Sequence, residues 1–63
     1  MDFRIDIVCN NAAFEDSASS EVARILRILA DNIEAQGADP DHTFTIQDLN
    51  GNRVGHAAFS EQN

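Results

Sequence analysis

Few side chains in this sequence have the chemistry of a metal site or a nucleophile. Cys9, His42 and His56 are its soft or borderline ligands. No C-x2-C or H-x3-H spacing joins them, and a structural zinc site asks for four ligands. Asp48-Leu49-Asn50-Gly51-Asn52 alternates oxygen donors as the opening of a calcium loop does. Its glycine comes fourth rather than sixth, and no glutamate stands twelfth. The same residues contain Asn-Gly, the strongest short hairpin signal, so a turn accounts for them. Asp39-Pro40-Asp41-His42 gathers acids and an imidazole with no matching partner elsewhere. Ser17 and Ser60 lie in no motif that strains or activates a hydroxyl, and neither histidine sits in a triad pattern. There is no glycine-rich phosphate loop. The expectation is a protein without catalytic residues, metal or cofactor, and not an enzyme. Cys9 reads as an inert thiol at the edge of the core.

What remains is charge. The 63 residues hold 11 acids against four arginines, with no lysine, for a net charge of −7. Binding nucleic acid directly would need cations to neutralise phosphates, so that class is set aside. An acidic surface favours a basic protein partner. The length allows one domain, 1–63, about 28 Å across, too small for a deep substrate pocket. The opening residues Met1-Asp2-Phe3-Arg4-Ile5-Asp6 lack a secretory leader's basic and apolar regions. No apolar run approaches the ~18 residues of a membrane span. A cytoplasmic chain is expected, in a reducing compartment.

The elements that must position this charge follow from periodicity. Phe3, Ile5, Ile7 and Cys9 alternate with Arg4, Asp6 and Val8, giving a strand with one buried face. Phe14 interrupts the loop from Asn10 to Asp16 and is expected to plug the end of the core. Asp16 or Ser17 caps a helix. Val22, Ile25, Leu26, Leu29 and Ile33 form its buried stripe, with Ala18 and Ala30 beside them. Glu21, Arg24, Arg27, Asp31 and Glu34 fall on its outer face, Arg27 and Asp31 as an i, i+4 pair. Gly37 is the expected left-handed stop. Thr43–Gln47 and the segment from Arg53 to Phe59 read as two strands joined by a hairpin. In one register Gly51 turns a three-residue loop, Ile46 faces Val54, and a bulge at Gly55-His56 returns Ala57 and Phe59 to the core. A two-residue Asn50-Gly51 turn would instead face Val54 outward. The bulged version buries more apolar area. The fold class is α+β, β-α-β-β, with one helix on a three-stranded antiparallel sheet of order 1-3-2.

That topology brings the start of the first strand, the helix C-terminus and the start of the second strand to one end. Asp2, Asp31, Glu34, Asp39 and Asp41 collect there, where the helix dipole is already negative. They are the candidate partner-binding residues. Ile28, about 120° from the middle of the stripe, is a secondary candidate. It would act with the outer sheet face as a protein-interaction surface independent of the acidic end.

Three stretches carry a resemblance. They are Asn11-Ala12-Ala13-Phe14-Glu15-Asp16, the helix residues Arg24 to Glu34, and Asp48-Leu49-Asn50-Gly51-Asn52-Arg53-Val54-Gly55. Together they resemble small acidic phage and prophage proteins and are similar to anti-CRISPRs directed at a type I-C interference complex. The motifs are a helix start, a helix stripe and a hairpin, so no functional residue is carried over. The resemblance implies a non-catalytic inhibitor. Its partner would be a host CRISPR effector subunit, met at the surface that contacts DNA or its PAM. The acidic end then suggests that the inhibitor imitates a few phosphates. The chain itself would be a monomer or a weak homodimer.

Overall fold

In the computed structural model, which describes residues 1–61, the chain runs β1 (Asp2–Ile7), a 3-10 turn (Ala12–Phe14), α1 (Ala18–Gln36), β2 (Thr43–Gln47) and β3 (Arg53–Ser60). The three strands form one antiparallel sheet in the order β1-β3-β2. β3 is therefore central, and both other strands are edges. The molecule measures 40 × 22 × 17 Å, longer than a sphere of this mass. A helix of 19 residues is about 28 Å long at 1.5 Å per residue, and the connections extend past its ends.

α1 starts where Ser17 caps it, its Oγ accepting the Ser20 N–H at 3.2 Å. It ends at Gly37, whose N–H donates to the Ile33 carbonyl at 2.8 Å. The φ of Gly37 is +85°, as expected of a glycine stop, but its ψ of 176° is extended rather than left-handed helical. An Asx turn follows, in which Asp39 Oδ1 accepts the Asp41 N–H at 2.9 Å. Phe14 is buried at the end of the core, as its size demands.

The core consists of Phe14, Ile25, Leu29, Phe44, Ile46, Val54 and Ala57, with Phe3, Ile7, Ala13, Val22, Ile33 and Phe59 packed around it. The buried line of α1 is Glu21, Ile25 and Leu29, at i, i+4 and i+8. This corrects the expected stripe. Leu26 is 40% exposed, Ala18 and Ala30 face solvent, and Glu21 is inside rather than on the outer face. The helix packs chiefly over β2, leaving the β1 side of the sheet half covered. There Ile5, expected in the core, is 39% exposed. The opposite sheet face, with Arg4, Asp6, Val8, Thr43, Thr45 and Gln47, is exposed throughout.

The hairpin resolves the question of register. The Gly51 N–H reaches the Asp48 carbonyl at 3.0 Å and the Asp48 N–H the Asn52 carbonyl at 2.9 Å. Gly51 takes a φ of +83°. That is a three-residue loop with glycine in its left-handed position. The bulge lies one residue earlier than expected. Gln47 pairs with Arg53 and Ile46 with Gly55, so Val54 is the extra residue and does not face Ile46. Val54, Ala57 and Phe59 all still reach the helix side. Gly55 explains the placement: a Cβ there would come within 1.9 Å of the Asp6 carbonyl oxygen. Only glycine lets β3 approach β1 this closely beside the bulge.

Candidate functional site

The candidate acidic residues are best taken by the element that holds each. Asp31 and Glu34 lie in the last part of α1, whose final turn carries no basic residue. At 100° per residue Glu34 points about 180° away from Ile25. Asp39 and Asp41 follow in the connection to β2. All four are exposed. Among the described residues, the ion pair is Glu21–Arg24, and His56 Nε2 lies 3.6 Å from Asp6 Oδ2, so none of the four has a salt-bridge partner. The expected Arg27–Asp31 pair does not form. Nothing folds the long arginine side chain back onto an exposed aspartate, since such a pair is worth only a few tenths of a kcal/mol.

Asp2 is at the same end but is not part of this group. It opens β1 opposite Ser60, two strands away from β2. Its side chain shares the outer sheet face with Arg4, which lies two residues on, or about 7 Å along the strand. Glu34, Asp39 and Asp41 thus lie within four residues of Gly37 in sequence, Asp31 more than one turn before the helix end, and Asp2 across the sheet near Arg4. Asp39 has a second role, because one of its carboxylate oxygens already builds the Asx turn.

Ile28 is 48% exposed. It lies over a shallow groove between α1 and the β2 edge, with Ile25, Leu29, Asn32, Thr45 and Gln47 also lining it. Thr45 and Gln47 also belong to the outer sheet face, so the two parts of that alternative surface meet at the β2 edge.

Sequence reasoning missed the polar cluster at the other end of the molecule. Glu21 is 7% exposed and Asp48 5%. The Glu21 carboxylate accepts both Arg24 Nε at 2.8 Å and Arg24 Nη2 at 2.9 Å. It also accepts the Leu49 N–H at 2.8 Å, tying the first helical turn to the hairpin loop. The Arg24 hydrogen bond, against the opposing cost of burial, holds the Glu21 carboxyl below its ordinary value, with help from the Leu49 N–H. Asp48 accepts the Asn50 and Asn52 N–H groups, each at 2.9 Å. Burial pushes the Asp48 carboxyl up, but hydrogen bonds from Asn52, Asn50 and Asn11 outweigh it and lower it overall. The signal was available: Glu21 stands i−4 to Ile25, on the face that must be buried. These are structural carboxylates with every charge matched by a donor, the opposite of the bare acids around Gly37.

Among the described residues, no group of three or more His, Cys, Asp or Glu side chains is arranged to hold a metal ion. No helix among the described residues is long and apolar enough to cross a membrane. Comparison with protein-family models, curated proteins and solved structures finds no match to this chain.

Proposed function

We propose that this chain is a stoichiometric, non-catalytic anti-CRISPR protein of the bacterial cytoplasm. It occupies a basic, DNA-accepting surface of a type I interference complex and blocks target DNA by imitating its charge. The observation that supports this is the arrangement of Asp31, Glu34, Asp39 and Asp41. All four are exposed and none has a salt-bridge partner among the described residues, near a helix end with no basic residue in its last turn. Acids at a helix C-terminus oppose the dipole, at a cost of about 0.3–1 kcal/mol for each close group. The Asx turn accounts for Asp39, but stability gives no reason for the other three, whereas a cationic partner does. Asp2 lies at the margin of this surface.

The test is inhibition of target-duplex binding by a purified type I-C interference complex. Asp31→Asn, Glu34→Gln, Asp39→Asn and Asp41→Asn remove charge and keep shape, and asparagine at 39 preserves the Asx turn. The combined variant is expected to lose inhibition while melting at the parent temperature or above. Undiminished inhibition by this variant would overturn the reading.

A further inference from the structure

The free edge of β1 carries an inference independent of the acidic surface. We propose that β1 pairs antiparallel with β1 of a second copy of this chain, joining two sheets into one of six strands.

The hydrogen-bonding groups of β1 are divided between its two sides. The Val8 N–H donates to the Val54 carbonyl at 2.8 Å, and the Asp6 carbonyl oxygen lies against Gly55. Even-numbered residues therefore face β3. By alternation, the N–H and C=O groups of Phe3, Ile5 and Ile7 point to the open edge. That edge has no proline, no lysine and no bulge; its charges are Asp2, Arg4 and Asp6, which oppose pairing except in a register that sets unlike charges opposite each other. At β2 the helix packs on the strand, and a groove lies between Ile28 and Thr45 and Gln47.

The sequence of β1 is complementary to itself in one register. With Ile5 opposite Ile5 of the second copy, Phe3 meets Ile7 and the odd residues exchange about six backbone hydrogen bonds. Arg4 then faces Asp6 of the other strand, twice by symmetry. These are the non-hydrogen-bonded positions, where opposed side chains come closest. Shifting the two-fold by one residue toward the N-terminus puts Arg4 opposite Arg4 and Asp2 opposite Asp6. Shifting it the other way puts Asp6 opposite Asp6. Charge selects the central register.

The apolar surface agrees with this choice. Ile5 and Leu26 are 39% and 40% exposed. On the helical wheel Leu26 lies on the flank of α1 opposite Ile28, and Ile28 is the flank toward β2. Pairing places Ile5 beside its own copy beneath this flank. The two-fold interface is isologous, so it closes as a dimer and does not propagate.

Sedimentation velocity over roughly a hundredfold concentration range tests the proposal. The parent chain is expected to shift from monomer to dimer as concentration rises. Arg4→Asp and Asp6→Arg each replace two attractive pairs with repulsive ones and should weaken association about tenfold or more. The double swap restores opposite charges and should restore the dimer. Both positions are exposed, and circular dichroism confirms that each variant folds. Hydrogen exchange supplies a second readout: the Phe3, Ile5 and Ile7 amides gain protection in the parent at high concentration and not in Arg4→Asp. A parent chain that stays monomeric overturns the proposal. So does a dimer indifferent to the single reversals, or one that the double swap fails to restore.

Discussion

Glu21 is the residue whose environment departs most from its sequence position. A glutamate in the first turn of a helix ordinarily faces water and favours the dipole. Here it is turned inward and gripped by Arg24 and the Leu49 N–H. Glu21 and Asp48 both titrate below their ordinary values of 4.5 and 3.8 in the folded chain, so the unfolded chain takes up protons first on acidification. Their contribution to stability is complete above those ordinary values. It is lost as pH falls through the lowered folded-state values. Thermal melts are expected to be flat through neutral pH and to fall steeply in the acid range. Glu21→Gln should lower the neutral melting temperature and make the acid fall shallower. An unchanged acid limb in that variant would assign the fall to Asp48. Gly55 gives a second residue-level prediction. An alanine Cβ would collide with the Asp6 carbonyl and crowd the Ile7 Cα, and backbone rather than a mobile side chain must yield. Gly55→Ala should cost about 3 kcal/mol, measured by urea unfolding.

At the scale of elements, the helix illustrates what periodicity conveys and what it omits. The stripe residues Val22, Ile25, Leu29 and Ile33 do face the sheet, but the centre of the stripe is set by which strand lies beneath. α1 sits over β2, and this rotates Leu26 outward and Glu21 inward. Leu29→Ala is expected to cost about 3 kcal/mol, and Leu26→Ala less than about 1 kcal/mol. Equal losses would mean that the stripe is centred between them. Gly37→Ala places a side chain at a φ of +85° and should cost about 1 kcal/mol. The strand order, the Ser17 cap and the Gly51 turn were all legible, because each rests on local chemistry: alternation, a hydroxyl before an apolar run, an Asn-Gly pair. The position of the bulge was not, since the close approach of β3 to β1 at Gly55 is a tertiary fact. For the same reason the sequence did not show that Asp2 lies across the sheet from the other candidate acids. Nor did it show that Asp39 spends one oxygen on its own turn.

Across the whole molecule, charge and shape limit what a phosphate imitator of this size can do. The long axis is 40 Å, and duplex DNA over that length carries about 24 charges. A net charge of −7 cannot match it. The surface around Gly37 suits a pocket built for a few phosphates, and the rate of encounter should exceed what so small a contact gives without steering. Association with the interference complex is therefore expected to slow steeply as salt rises, while dissociation changes little. Neutralising Asp31, Glu34 and Asp41 should flatten the salt dependence of the association rate, because those charges set the field the partner meets first. Ile28→Asp separates this from binding through the groove beside β2. It adds negative charge and destroys an apolar contact. Under charge mimicry it leaves the association rate unchanged or raises it. Binding through the groove predicts faster dissociation and lost inhibition. Stopped-flow association measured at two salt concentrations, for the parent, the neutralised variant and Ile28→Asp, distinguishes the two. A salt-independent parent rate together with loss of binding in Ile28→Asp would move the partner from the acidic end to the groove.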